Sequence, residues 1–144
     1  MSGHGAPLLS LQAPEARVAI VASSWHTEVM DGLIAGTQAA LADAGVKQVT
    51  LIRAPGSFEL PVLSQAAAKA DFDVVIALGV IIRGGTPHFE YVSAAATDGL
   101  TRVALDTGVP IGFGLLTCDN DEQALDRAGL AHSREDKGRE ATEA

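Results

Sequence analysis

Four runs along the chain are largely apolar, and each is followed by a polar turn and then by apolar residues at helical spacing. Runs that are apolar on both faces indicate strands buried between layers of helices. The first helix shows the spacing best, because Val29, Met30, Leu33, Ile34 and Leu41 fall on one face. The predicted strands cover residues 17–23, 48–56, 73–82 and 109–117.

Turn and capping residues set the predicted helix ends. Ser23 and Ser24 are expected to cap the first helix, and Gly45 follows its last turn. The second helix is predicted from Pro61 to Ala70, and the third from Pro87, in its first turn, to about Asp106. The fourth is predicted to follow a cap at Asp119 or Asn120 and to end at Ala128, and the fifth to cover residues 136–144. The last segment reaches Ala144 without a capping residue, so we expect a helix that is cut short or whose end is missing.

Alternation of strands and helices predicts an α/β fold. We expect a three-layer α/β/α sandwich with a four-stranded parallel sheet, of the flavodoxin-like kind, because right-handed crossovers restrict the topology. Residues 1–16 carry Gly and Pro without any period, so they are predicted to form a flexible arm that includes His4. Residues 17–144 are predicted to form a single domain.

Composition narrows the possible partners. The 144 residues are 47% hydrophobic and rich in alanine, which favours packed helices and a buried subunit interface. The 10 basic and 18 acidic residues give a net charge of −8, which argues against binding to nucleic acid. No export signal or membrane-length apolar run is recognisable, so we expect a cytoplasmic protein. A single cysteine, Cys118, excludes an internal disulfide and a cysteine-based zinc site, and no metal or cofactor is expected.

The run GVIIRGGTPHFEYV, residues 79–92, contains the densest candidate chemistry. A buried strand ends there in Arg83, Gly84, Gly85, Thr86 and His88 within six positions. Glycines let backbone N–H groups approach a ligand, and the helix that follows adds unpaired donors, which suits an anion such as phosphate. His88 can transfer a proton near neutral pH. A plain strand-to-helix turn with an exposed histidine is the alternative for this loop taken alone.

Polar and aromatic residues follow all four strands, and in a parallel sheet these positions share one edge, where ligands bind. This convergence favours a small-molecule site. The residues at that edge are Ser24, Trp25 and His26; Ser57, Phe58 and Glu59; Gly84 to His88; and Phe113 and Cys118.

Five motifs in order resemble the 6,7-dimethyl-8-ribityllumazine synthase family, of the actinobacterial type. They are ASSWH (22–26), APGSFELP (54–61), ALGVIIRGGTPHFEYV (77–92), GLLTCDNDEQALDRAG (114–129) and EDKG (135–138). The resemblance implies the penultimate step of riboflavin biosynthesis. In that step 5-amino-6-ribitylaminouracil condenses with 3,4-dihydroxy-2-butanone 4-phosphate through an imine, with loss of phosphate and water. No metal or redox cofactor is implied.

The resemblance also implies roles for individual residues. His88 is the implied catalytic proton-transfer residue, and Gly85, Thr86 and Arg127 are the implied phosphate ligands. The residues implied to bind the pyrimidine and the ribityl chain are Trp25, Ser57, Phe58, Glu59, Val80, Ile81, Ile82, Phe113 and Lys137. Two positions depart from the common pattern, since Gly85 replaces an alanine, and Phe113 stands where close actinobacterial relatives carry asparagine.

Each of these residues also has a plainer explanation. Trp25 would then be a core residue, Glu59 a first-turn acid favoured by the helix dipole, and Arg127 and Lys137 solvated side chains. The lone histidines His26 and His132 are set aside because such loop histidines usually have no functional role, and Cys118 is set aside as strand-end packing.

Family members form pentamers, or shells built from pentamers, with sites between adjacent subunits. Phe113, Arg127 and Lys137 would then reach a neighbour's Trp25, Glu59 and His88. The long link between Arg127 and Lys137 favours a free pentamer. The alternatives are a non-catalytic module that binds lumazine or flavin, a phosphate-recognition domain for another sugar phosphate, and a structural shell protein.

Overall fold

The computed structural model describes residues 5–144, so His4 lies outside the described part of the chain. Four strands alternate with five helices there, and a short 3-10 helix, Ser57–Glu59, precedes the second. The strands are β1 (Arg17–Ser23), β2 (Gln48–Ala54), β3 (Val74–Ile82) and β4 (Ile111–Cys118). The helices are α1 (Thr27–Asp43), α2 (Leu60–Ala68), α3 (His88–Thr107), α4 (Asp121–Leu125) and α5 (Lys137–Glu143).

The sheet is entirely parallel, in the order β2-β1-β3-β4, and helices cover both of its faces. Met30 and Leu33 belong to the core cluster on the face covered by α1. Leu60 and Leu100 belong to the cluster on the opposite face, covered by α2 and α3. The predicted three-layer α/β/α sandwich is confirmed. Among the helices of residues 5–144, none has the length and apolar character needed to cross a membrane.

The predicted serine caps of α1 are wrong. The strand continues through Ser23, whose Oγ donates to Met30 Sδ at 3.6 Å, and Ser24 Oγ donates to the Ala54 carbonyl at 2.8 Å. Three more residues are needed before the chain can turn onto the helix. The N-cap is therefore His26, which adopts a left-handed conformation with φ 58°.

Other helix ends also differ from the prediction: α2 and α5 by one or two residues at each end, and α3 and α4 as follows. Pro87 is the N-cap of α3 and not its first residue. Helix α4 is capped by Asn120, whose Oδ1 accepts from the Gln123 amide at 2.9 Å, and it stops at Leu125 instead of Ala128. It stops early because the chain after it pairs with residues 135–137, including an antiparallel bridge at Ala128.

The segment before β1 forms neither helix nor strand within residues 5–16. It is fastened at the end of α1, where the Ala13 amide donates to the Ala44 carbonyl at 2.8 Å. The flexibility of this arm and the division of the chain into arm and single domain stay predictions. At the other end of the chain α5 docks on α1, where Thr37 Oγ1 donates to the Gly138 carbonyl at 3.1 Å.

Candidate active site

The carboxyl ends of the four strands lie along one edge of the sheet. The register pairs Ser23 with Ala54 and Ile82 with Cys118, so the loops that follow these strands emerge side by side. This edge is where parallel sheets bind ligands. The arrangement predicted from the strand-end residues is therefore present in the fold, except that Phe113 lies near the start of β4, opposite Ala77, and not at this edge.

Trp25 presents its indole to solvent at this edge. The residue is 68% exposed, which is incompatible with a core tryptophan. The indole Cδ1 and Nε1 atoms lie 3.5 Å from where a Cβ at Gly56 would be, so the ring borders the backbone after β2. A flat aromatic face in this position can stack on a heteroaromatic ring.

The short helix after β2 supplies the next three candidates. Ser57 is buried and its Oγ donates to the Val80 carbonyl at 3.4 Å. Gly79 permits this approach, because a Cβ there would lie 2.7 Å from Ser57 Oγ. The Glu59 carboxylate accepts from the Gly56 amide at 3.0 Å, whereas the Phe58 ring is exposed. Glu59 therefore has the structural role that its position predicted, and the backbone around it is held in a fixed turn.

The loop after β3 is open to solvent. Gly84, Gly85, Thr86 and His88 are all exposed, and no atom lies within 4 Å of a Cβ placed on either glycine. The His88 amide donates to Thr86 Oγ1 at 3.4 Å, and the 20-residue helix α3 begins at His88. Exposed backbone donors at the start of a long helix form a suitable anion site.

The strand beneath this loop carries three further candidates. Val80 and Ile81 are buried and Ile82 is partly buried. Val80 and Ile82 pack in the core cluster on the α1 face of the sheet, and Ile81 packs in the cluster on the opposite face. With these side chains directed into the core, the strand can contact a ligand through its backbone groups. One of these groups, the Val80 carbonyl, already accepts from Ser57 Oγ.

Two arginines hold the edge together: Arg53, to which the sequence analysis gave no role, and Arg83, which it counted among the candidate groups of the loop without assigning a contact. Arg53 Nη2 donates to the Ser23 carbonyl at 2.9 Å. Arg83 Nε donates to Asp119 Oδ1 at 2.9 Å, and its Nη1 pairs with Glu90. The pKa of Glu90 is lowered chiefly by this hydrogen bond from Arg83. A charged residue at the end of an apolar strand was the available signal, but the partner Asp119 lies 36 residues away from Arg83.

Phe113, Arg127 and Lys137 come together elsewhere, in a groove of about 520 Å³ beside β4. Glu135 lies between the two cations, 3.5 Å from Arg127 Nε and 3.4 Å from Lys137 Nζ. Sequence reasoning assigned no role to Glu135. Phe113 is 49% exposed. Trp25, Glu59 and His88 do not line this groove, so we treat the candidates as two groups, one in the groove and one outside it.

The remaining candidates have structural surroundings. Cys118 is buried at the end of β4, and burial raises the pKa of its thiol, which disfavours the reactive thiolate. His132 is exposed in the link before α5. Within residues 5–144 no group of three or more His, Cys, Asp or Glu side chains could hold a metal ion.

Comparison with known proteins decides the family. The sequence model of the 6,7-dimethyl-8-ribityllumazine synthase family matches residues 15–144. The chain belongs to this family. A protein of that name from a Nocardioides species is 63% identical over 145 residues, which cover all of this chain and 90% of the relative.

Two further lumazine synthases show the same extent of similarity. One from an Arthrobacter species is 59% identical, with 100% of this chain and 92% of the relative covered. One from Kineococcus radiotolerans is 61% identical, with 98% and 88% covered. All three organisms are actinobacteria, so the resemblance to the actinobacterial type of the lumazine synthase family is confirmed.

Proposed function

We propose that this chain catalyses the condensation of 5-amino-6-ribitylaminouracil with 3,4-dihydroxy-2-butanone 4-phosphate to give 6,7-dimethyl-8-ribityllumazine, phosphate and water. The activity is that of a transferase in the penultimate step of riboflavin biosynthesis. The observation that carries the proposal is the open loop 84–88 at the start of α3, on the same edge of the sheet as the exposed indole of Trp25. Membership of the lumazine synthase family supports the choice of substrates.

The first group of residues suits the pyrimidine substrate. The Trp25 indole offers a stacking face for the ring, and the exposed Phe58 adds apolar surface beside it. Ser57 and Glu59 fix the backbone turn whose amide and carbonyl groups would hydrogen-bond the ribityl hydroxyls. Val80, Ile81 and Ile82 would contact the substrate through the end of β3.

The loop after β3 suits the phosphate substrate. Gly85 and Thr86 would donate to the phosphate oxygens, and the start of α3 favours their negative charge. His88 would shuttle protons as the amine adds to the carbonyl, as water leaves to form the imine, and as the ring closes after phosphate departs. These steps need no redox change.

The second group would complete the site of a neighbouring subunit. Phe113 would border the pyrimidine, Arg127 would bind the phosphate and Lys137 would approach the ribityl chain, all from the groove beside β4. Their separation from the first group within one chain supports a site between subunits. We propose a free pentamer, whose mass by light scattering would be five times the 14.8 kDa of the chain. The proposed location is the cytoplasm, with no nucleic-acid or membrane partner.

Mixing the protein with both substrates tests the activity directly. We expect lumazine absorbance to rise together with release of inorganic phosphate, and each substrate alone to give neither. Binding of the ribitylaminouracil without any product would indicate a non-catalytic module. Thermal stabilisation by other sugar phosphates, but not by the ribitylaminouracil, would indicate a different phosphate-recognition domain.

A further inference from the structure

One guanidinium group joins the two loops at the centre of the candidate site. Arg83 is the first residue after β3, and its Nε donates to Asp119 Oδ1 at 2.9 Å while its Nη1 pairs with Glu90. Its Cζ lies 4.3 Å from the centroid of the Phe89 ring. We call these four residues, Arg83, Phe89, Glu90 and Asp119, the Arg83 clamp.

The clamp holds both ends of the loop that carries the anion donors. Arg83 immediately precedes Gly84, while Phe89 and Glu90 immediately follow His88. Phe89 is partly buried against the core cluster under α2 and α3, so the guanidinium is anchored to the body of the protein. The loop between these fixed points contains two glycines with open space around them, which gain most from such restraint.

A chain of hydrogen bonds continues from the clamp to Arg127. The Asp119 amide donates to Gln123 Oε1 at 2.7 Å. The Gln123 carbonyl in turn accepts from Arg127 Nη1 at 2.9 Å. In the proposed assembly this Arg127 serves the site of a neighbouring subunit, so these contacts connect the loop of one site with the arginine of the next.

The ion pairs of Arg83 are not explained by a large contribution to the free energy of unfolding. The side chains of Arg83, Glu90 and Asp119 are 45%, 56% and 61% exposed. Ion pairs with this exposure contribute little to the free energy of unfolding. Their geometry is nevertheless specific, since the planar guanidinium binds two carboxylates and stacks on a ring at once.

We infer that Arg83 is a positioning residue that fixes the loop 84–88 for recognition of the phosphate-bearing substrate. The inference rests on the proposed function. Arg83 makes no contact with substrate in this role, because it acts through the backbone donors of the loop. Its loss should therefore affect the phosphate substrate and leave the ribitylaminouracil, which is proposed to bind at Trp25 and the turn after β2, almost unaffected.

Steady-state kinetics of Arg83→Gln, with each substrate varied in turn, test this role. We expect kcat/KM for the phosphate substrate to fall about 10- to 10²-fold, because small displacements of positioned groups cost this much. The KM for the ribitylaminouracil should stay unchanged. Arg83→Lys keeps the charge but not the planar fork, so it should recover only part of the loss. Arg102→Gln is the matched control, since Arg102 is an exposed arginine paired with Asp106 on the same helix.

Two further variants, each with a smaller change, test the same role if Arg83→Gln does not fold. Glu90→Gln and Asp119→Asn each remove one partner while preserving side-chain shape, and both should raise the KM for the phosphate substrate selectively. Equal losses for both substrates, or no loss in any of these variants, would overturn the inference. If the parent protein forms no lumazine, the proposed function fails separately. The role of Arg83 can still be tested by calorimetry with inorganic phosphate. We expect Arg83→Gln to bind phosphate more weakly than the parent protein does. Equal affinities of the two proteins for phosphate would refute the inference.

Discussion

His88 is the residue whose proposed role is most directly chemical. Its imidazole is exposed at the start of α3, where a ligand on the loop 84–88 would be within reach. We expect His88→Ala to lower kcat by about 10²-fold or more, as is usual when general acid–base help is lost. The KM values should change little, because backbone groups and Arg127 provide the binding. Rates indistinguishable from those of the parent at every pH would show that His88 transfers no proton.

Arg127 tests the phosphate assignment. Its guanidinium is held by the Gln123 carbonyl and by Glu135, so it is already oriented before any ligand binds. We expect Arg127→Ala to raise the KM for the phosphate substrate about 10- to 10²-fold, the usual effect of losing a hydrogen bond to a charged group. Arg134→Ala is the control, since within residues 5–144 that exposed arginine pairs with Asp126. A matching rise in the KM for the ribitylaminouracil would contradict the assignment.

At the scale of elements, the docking of α5 on α1 depends on a missing side chain. A Cβ at Gly138 would lie 2.2 Å from the Leu33 carbonyl oxygen, a backbone atom that cannot rotate away. We expect Gly138→Ala to lower the free energy of unfolding by about 1–3 kcal/mol, the usual cost of overpacking. Gly85→Ala is the control, because nothing lies within 4 Å of its Cβ position. Equal midpoints in urea for the two variants would refute this account.

The contact of the β3–α3 loop with α3 should weaken in acid. Arg83 lowers the pKa of Glu90, so the ionised carboxylate stabilises the folded protein at pH values above the ordinary carboxylate pKa. This contribution is lost as the pH falls through the lowered pKa in the folded state. We expect Glu90→Gln to reduce Tm slightly at neutral pH, and the difference from the parent to disappear in acid. A difference that grows as the pH falls would contradict this direction.

The elements themselves could be predicted from the sequence, but several of their ends could not. Buried strands such as β1 and β3 show as apolar runs, so their positions are local information. Ser24 fails as a cap because its hydroxyl binds the Ala54 carbonyl, 30 residues away. Likewise, α4 ends early because the residues after it pair with the segment before α5.

The candidate site was predictable to a similar degree. Strand-end positions identified Trp25, Glu59 and the loop 84–88 because parallel topology alone gathers them on one edge. The role of Arg83 was not predictable, since its partner Asp119 lies 36 residues further along the chain. The bridge from Glu135 to Arg127 and Lys137 also depends on how the link before α5 folds.

At the scale of the whole molecule, the proposed site needs two chains, which mixed assemblies can test. Co-expressed His88→Ala and Arg127→Ala chains would place an intact His88 beside an intact Arg127 at about a quarter of the interfaces in a ring. We expect lumazine formation to recover to a corresponding fraction of the parent activity. Each variant purified alone is the control. A mixture no more active than its two components would show that every site is contained within one chain.

The exposure of Phe113 also affects which amino-acid substitutions the protein can accept during evolution. Its side chain is half exposed on the last strand of the sheet and belongs to neither core cluster. Substitutions there leave the packing of the interior almost untouched, so selection can sample them at little cost in stability. Ser57, which is wedged against β3, has no such freedom. Substitutions at position 113 can therefore change the substrate preference of the proposed site during evolution with little loss of folding stability.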